Sequence, residues 1–80
     1  METMAIGEFK IKMGKRIRQL RKAAKLSQEK LAIKAGCKDK QIISEYEVNG
    51  ANPTAYTLMQ LAPALNVAIN ELFDFSDLPE

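Results

Sequence analysis

The spacing of apolar residues predicts helices along most of the chain. A first helix is predicted from Met13 and a second over residues 28–35, because apolar residues recur at intervals of three and four in both stretches. The residues on these apolar faces are Ile17, Leu20 and Ala24 in the first helix and Leu31, Ala32 and Ala35 in the second. Ser27 is the expected N-cap of the second helix, and Gly36 is the left-handed residue expected to end it.

A third helix is predicted from an N-cap at Asp39 to about Val48. Ile43 and Tyr46 are expected to face inward, and the neighbouring Ile42 is ambiguous. The sequence Asn-Gly that follows this stretch breaks the helix, since both residue types tolerate a positive φ.

A fourth helix is predicted over residues 55–65, with Thr54 as its N-cap. Pro63 lies inside this stretch and predicts either a kink or an early end, because proline cannot donate a backbone hydrogen bond. Asn66 is expected to take the place of a glycine at the C-terminus, and a last short helix is predicted over residues 68–73. No segment alternates as a strand does, so the sequence predicts an all-α fold of about five short helices.

Eighty residues fit one small domain. We expect a flexible leader over residues 1–12, the helical domain over residues 13–74 and a tail over residues 75–80. Positions 1–40 contain all twelve basic residues and four acidic ones, a net charge of +8, whereas positions 41–80 contain six acidic residues and no basic one, a net charge of −6. This asymmetry favours a polyanionic partner for the basic half, although a solvated basic helix beside an acidic tail would also produce it.

The sequence offers few groups for catalysis or metal binding. One cysteine and no histidine exclude a Cys/His zinc site and an imidazole base. The chain has no nucleophile–base pair, phosphate-binding loop or metal-binding motif, so we expect neither an enzyme nor a bound cofactor. No stretch approaches the ~20 apolar residues that span a bilayer, and the start, METMAIGEFK, lacks the apolar run of a secretory signal. We therefore expect a cytoplasmic protein without a membrane partner.

The order of these signals resembles the lambda-repressor/Cro-like helix-turn-helix family, also called the XRE family. The matching segments are IRQLRKAAKLSQEKLAIKAG, IISEYE, NPTAYTLMQLAPALNV and ELF, which lie within residues 14 to about 73. The resemblance implies a five-helix DNA-binding domain in which helices two and three form the helix-turn-helix. In this arrangement the second helix of the motif enters the major groove while the first crosses the DNA backbone.

One question of register stays open within this resemblance. Compared with the family's usual spacing, the chain has one extra residue before Glu47. Counting back from Glu47 places Ile43 in the core and the extra residue within 36–38, whereas counting forward from Gly36 places Ile42 in the core. We favour the first count, because a turn accepts an insertion cheaply, whereas an inserted helical residue rotates everything after it by about 100°.

On this count, the resemblance implies that Lys40, Gln41 and Glu45 read bases. The three side chains suit guanine, adenine and cytosine, respectively; alternatively, they form only the solvent-exposed face of a helix. Arg21 and Glu47 match the family's internal ion pair. The residues expected to contact the DNA backbone are Ser27, Gln28, Lys38, Ser44, Asn49 and Asn52.

The resemblance implies a sequence-specific regulator of transcription that binds double-stranded DNA at a short palindromic operator as a homodimer. The expected dimer surface contains Leu72, Phe73 and Phe75, unless these side chains fold back over helices one and four. The alternative is an antitoxin-type protein that binds a toxin through its acidic tail, SDLPE, and also binds its own promoter. A co-activator-type bridging domain would have the same fold but little sequence preference.

Overall fold

The computed structural model describes residues 3–78, which form four α-helices and one 3₁₀ helix and contain no β-strand. The elements are α1 (Ile6–Ala23), α2 (Gln28–Ala35), α3 (Gln41–Asn49), α4 (Ala55–Ala64) and the 3₁₀ helix (Ile69–Phe73). The all-α fold is confirmed. The fifth predicted helix is instead a 3₁₀ helix of five residues. None of the helices within residues 3–78 is long and apolar enough to cross a membrane.

The first helix begins seven residues earlier than predicted. It starts at Ile6, so the expected boundary between leader and domain, after residue 12, falls inside α1. Phe9 lies four residues before Met13 on the same helix face, and its ring packs edge-to-face against Phe75 with centroids 6.3 Å apart. Most of the predicted leader is therefore a helix that packs on the core, while residues 1 and 2 lie outside the described part of the chain.

The core lies between all five helical elements. In the described residues, α1 packs against α3 and the 3₁₀ helix, α2 packs against α3 and α4, and α4 packs against the 3₁₀ helix. The largest fully buried side chains are Met13, Ile17, Leu31, Ile43, Leu61 and Leu72. Each of the five helical elements contributes at least one of these side chains, so the position of every helix depends on the same core.

Three of the α-helices end in the same way, with a Schellman motif whose C′ residue is left-handed. These C′ residues are Lys25 (φ 60°), Gly36 (φ 76°) and Asn66 (φ 59°). The amide of the residue after each one donates back to a carbonyl in the last turn, as in the 2.9 Å bond from Cys37 N to Ala32 O. The expected roles of Gly36 and Asn66 are confirmed, whereas a lysine at such a position gave no signal in the sequence.

Pro63 lies in the last turn of α4. The helix ends at Ala64, one residue before the predicted end, and the carbonyl of Pro63 accepts the amide of Asn66 at 3.0 Å in the Schellman motif. Because proline has no amide hydrogen, α4 lacks the helical hydrogen bond from residue 63 to the carbonyl of Met59. The predicted N-cap is also present, since the hydroxyl of Thr54 accepts the amide of Thr57 at 3.2 Å.

Candidate nucleic-acid interface

The five residues between α2 and α3 set the register of α3. The carboxylate of Asp39 accepts the amide of Gln41 at 2.8 Å, which is the geometry of an N-cap. Ile43 is fully buried, whereas Ile42 is only partly buried. The structure therefore agrees with the register counted back from Glu47, in which the turn takes up the extra residue.

Arg21 and Glu47 form a two-pronged ion pair between α1 and α3. The Nε and Nη2 atoms of Arg21 donate to the two carboxylate oxygens at 2.7 and 2.9 Å, and the side chains are 12% and 4% exposed. The hydrogen bond to Glu47 raises the pKa of the Arg21 guanidinium. Arg21 also donates to the carbonyl of Leu26 at 2.8 Å, and the side-chain amide of Gln28 donates to Glu47 at 3.2 Å. One carboxylate thus ties α3 to both α1 and α2.

The three residues expected to read bases are all exposed to solvent. Lys40 immediately precedes α3, and Gln41 and Glu45 lie on its outer side; within residues 3–78 the side chains of Gln41 and Glu45 form no hydrogen bond. The Nζ atom of Lys40 lies 3.5 Å from a carboxylate oxygen of Glu29 on α2, and both side chains are well exposed. Such a surface ion pair contributes about 0–1 kcal/mol, so Lys40 is not held firmly.

The residues expected to contact the DNA backbone lie at the start of α2, in the turn before α3, within α3 and in the loop after it. Ser27 and Gln28 are at the start of α2, where Ser27 Oγ accepts the amide of Lys30 at 3.0 Å and so caps the helix as predicted. Lys38 is exposed in the turn before α3. The remaining candidates are Ser44, which is partly buried, and Asn49 and Asn52, which are exposed.

The loop after α3 is held against α1. Gly50 has a φ of 96°, and a Cβ atom added to it would lie 3.1 Å from the carbonyl carbon of Lys10. The amide of the buried residue Ala51 donates to the carbonyl oxygen of Lys10 at 2.8 Å. Asn49 and Asn52 therefore flank a fixed point of the backbone, although the loop itself carries no basic side chain.

The fold and the sequence agree with one family of proteins. A family model described as helix-turn-helix matches residues 17–72, more than half of the chain. The chain belongs to the XRE-type helix-turn-helix family. No curated protein sequence matches the chain.

Three solved structures are similar to this helix-turn-helix protein in both sequence and fold. The restriction-modification controller protein C.AhdI from Aeromonas hydrophila is 38% identical over 79% of this chain and 94% of its own, with a TM-score of 0.72. SinR, a master regulator for biofilm formation solved in complex with DNA, is 35% identical over 78% of this chain and 98% of its own, with a TM-score of 0.70. The DNA-binding domain of the P22 C2 repressor is 30% identical over 99% of this chain and 92% of its own, with a TM-score of 0.71.

The predicted dimer surface of this helix-turn-helix protein needs a correction. Leu72 is fully buried among the core residues of its own chain, so its side chain is not available to a partner. Phe75 is half-buried against Phe9, because α1 extends far enough to cover it. Of the three predicted residues only Phe73, at 47% exposure, presents a large apolar surface to solvent.

Sequence reasoning missed Gly14, which lets α1 approach α3. A Cβ atom at this buried position would collide with the carbonyl oxygen of Tyr46 and would lie 3.4 Å from the Cα atom of Gly50. The available signal was a glycine inside an otherwise regular helix, which costs roughly 0.5–1 kcal/mol relative to alanine and usually has a packing reason. Gly14 therefore helps to place α3, which carries Gln41 and Glu45.

Proposed function

We propose that this protein is a sequence-specific DNA-binding regulator of transcription that recognises a short palindromic operator as a homodimer. The observation that carries the proposal is the division of α3 between an anchored side and a free side. Ile43 and Glu47 fix the helix to the domain, whereas Gln41 and Glu45 are exposed on the other side of the helix. Lys40, just before the helix, contacts the domain only through its exposed ion pair with Glu29. The protein would act in the cytoplasm, by binding and not by catalysis.

The exposed side chains of α3 have the chemistry needed to read base edges in a major groove. Lysine donates to guanine O6 or N7, glutamine forms a bidentate pair with adenine, and glutamate accepts from cytosine N4. Gln41 and Glu45 are four residues apart and so lie on one side of the helix. The nearby Glu29 disfavours a phosphate, but its contact with Lys40 is weak enough for the lysine to leave it.

The start of α2 is the proposed contact to the DNA backbone. The first amides of a helix have no partner within the helix, and they favour an anion. The hydroxyl of Ser27 caps the amide of Lys30, which leaves the amides of Gln28 and Glu29 available to a phosphate oxygen. The side-chain amide of Gln28 uses one hydrogen on Glu47 and keeps the second for the same phosphate.

A homodimer is proposed because a two-fold operator requires two copies of the reading helix about one helical turn of DNA apart. The exposed apolar side chains of the 3₁₀ helix, Ile69 and Phe73, provide a surface on which a second copy can pack. Burying them against a partner would remove apolar area from water, which the free monomer does not do. On this proposal, Phe73→Ser weakens operator binding and dimerisation together, while the preferred half-site sequence stays the same.

The test of the proposed function is a binding selection on random DNA duplexes, followed by affinity measurements on the selected operator. Wild-type protein should enrich one palindromic motif. Gln41→Ala should lose about 1–3 kcal/mol of discrimination at one base pair of each half-site, and Lys40→Ala should lose a comparable amount at a neighbouring one. The affinity should fall with salt, with a slope of about 0.9 for each phosphate contacted.

Lys15→Ala is the matched control for Lys40→Ala, because Lys15 is an exposed lysine on α1. This control should leave the selected motif unchanged. If no motif is enriched, sequence-specific regulation is wrong. If a motif is enriched but neither Lys40→Ala nor Gln41→Ala alters it, α3 reads DNA with other residues.

The antitoxin alternative gains no support from residues 3–78. Its proposed contact is the acidic tail, and the last two residues of that tail, 79 and 80, lie outside the described residues. Gln19 on α1 donates to the carbonyl of Asp77 at 3.0 Å, so the tail packs along its own domain as far as that residue.

A further inference from the structure

The outward face of α3 carries one side chain that neither the fold nor the proposed base contacts use. Val48 is 75% exposed, the largest exposed fraction among the large apolar residues of the described chain. It contributes little to the stability of its own domain, because its side chain is mostly in water. Valine is also a weaker helix former than alanine, since its branched side chain is restricted within a helix.

Val48 belongs to the same side of the helix as Gln41 and Glu45, two of the residues proposed to read bases. Seven residues separate it from Gln41, which is about 20° short of two full turns, so the two side chains point in nearly the same direction. Glu45 lies between them on this side. Along the axis, Val48 is about 10.5 Å from Gln41, or roughly three base-pair steps of 3.4 Å.

We propose that Val48 is a specificity-determining residue that contacts the 5-methyl group of a thymine in the operator. An isopropyl group has no hydrogen-bonding atom, and the thymine methyl is the apolar group that base edges offer in the major groove. The inference rests on the proposed function, because it requires this face of α3 to lie in that groove. It adds an apolar contact at the C-terminal end of α3 to the polar contacts at its N-terminal end.

The experiment removes the methyl group from the DNA and the isopropyl group from the protein, separately and together. Each thymine of the selected operator is replaced in turn by deoxyuridine in both half-sites, and the dissociation constant is measured for wild type and for Val48→Ala. At one thymine, wild-type protein should lose about fourfold in affinity per half-site, which corresponds to exposing one buried methyl-sized group. Val48→Ala should show little or no loss at that position and the same losses as wild type elsewhere.

The spacing of Gln41 and Val48 along α3 also predicts the position of that thymine. It should lie about three base pairs from the base pair at which Gln41→Ala changes the preference. Ile11→Ala is the control, because Ile11 is a branched aliphatic residue that is 55% exposed on α1, and it should show the wild-type losses at every thymine. Thermal unfolding of each variant shows that the fold is intact.

The inference and the proposed function can fail separately. If a motif is selected but the loss on demethylation is the same for wild type and Val48→Ala at every thymine, Val48 does not read a methyl group, although the protein still binds a specific sequence. If no motif is selected, both the proposed function and this inference are wrong.

Discussion

The two sides of α3 carry residues of similar type, but one side is buried against the domain and the other is exposed. The inner side has a branched aliphatic residue, Ile43, and a carboxylate, Glu47; the outer side has the same two types in Val48 and Glu45. Ile43 is fully buried, and Glu47 accepts hydrogen bonds from the guanidinium of Arg21 and the side-chain amide of Gln28. Val48 and Glu45 are exposed, and no hydrogen bond of Glu45's side chain occurs within residues 3–78. Position around the helix, and not residue type, decides what each side chain does.

This difference separates the residues that hold α3 from those available to a ligand. A side chain that touches the rest of the domain changes the free energy of unfolding when it is replaced, whereas an exposed one usually changes it by no more than about 0.5 kcal/mol. A sequence can therefore vary on the outer side of α3 without losing its fold. Operator preference can change among such proteins while the orientation of the helix stays fixed.

The largest expected contrast is between the two glutamates. Glu47→Ala leaves the mostly buried guanidinium of Arg21 without its partner, so the free energy of unfolding should fall by about 3–5 kcal/mol. Glu45→Ala should change it by no more than about 0.5 kcal/mol. Urea unfolding measures both, with the change read from the midpoint at a constant m-value.

The two glutamates should also differ in the DNA assay. Glu45→Ala should change the base preference at one position and leave the rest of the operator unchanged. Equal losses of stability in the two variants would contradict the division of α3 into an anchored and a free side.

The second contrast compares two glycines of α1. Gly14 faces the carbonyl of Tyr46 on α3, whereas a Cβ atom at Gly7 would meet nothing within 4 Å. Gly14→Ala should lower the free energy of unfolding by about 1–3 kcal/mol, because α3 must move to make room for a methyl group. Gly7→Ala should raise it by about 0.5–1 kcal/mol, because alanine is the better helix former. Thermal unfolding of the two variants should therefore move in opposite directions.

On the proposed function, displacing α3 in Gly14→Ala should also weaken operator binding, since Gln41 and Glu45 move with the helix. A Gly14→Ala variant as stable as wild type would show that the close packing of α1 on α3 does not fix the position of α3.

Local signals in the sequence predicted α2 and α4 almost to the residue. Ser27 and Thr54 are side-chain caps that hydrogen-bond the first turn of their own helix, so a few neighbouring residues determine where each helix begins. The start of α1 has no such signal, because Ala5 has no polar side chain to cap it. The apolar spacing alone, which runs back from Met13 to Phe9, would have extended the helix.

The register of α3 was predictable, but the use of the C-terminal residues was not. Glu47 identifies the register because its partner, Arg21, is separately fixed on α1. The sequence predicts a dimer surface that includes Leu72 and Phe75, whereas both side chains pack within their own chain. The additional turns of α1 supply the covering surface, with Phe9 packed on Phe75. Burial of this kind depends on contacts between residues far apart in the sequence.

The smallest expected effect is at Lys25. It tests whether the turn after α1 helps to hold Arg21, the partner of Glu47 on α3. Its φ of 60° ends α1 and turns the chain so that the next residue, Leu26, presents its carbonyl to Arg21 at 2.8 Å. Lys25→Gly and Lys25→Ala remove the same charge, but glycine tolerates the left-handed conformation better. The glycine variant should be the more stable of the two by about 1 kcal/mol, which for a domain of this size is a difference in Tm of roughly 4–8 °C. Equal Tm values would mean that the turn leaves the left-handed conformation at little cost, and that the Leu26 carbonyl is held in place by Arg21 and the core instead.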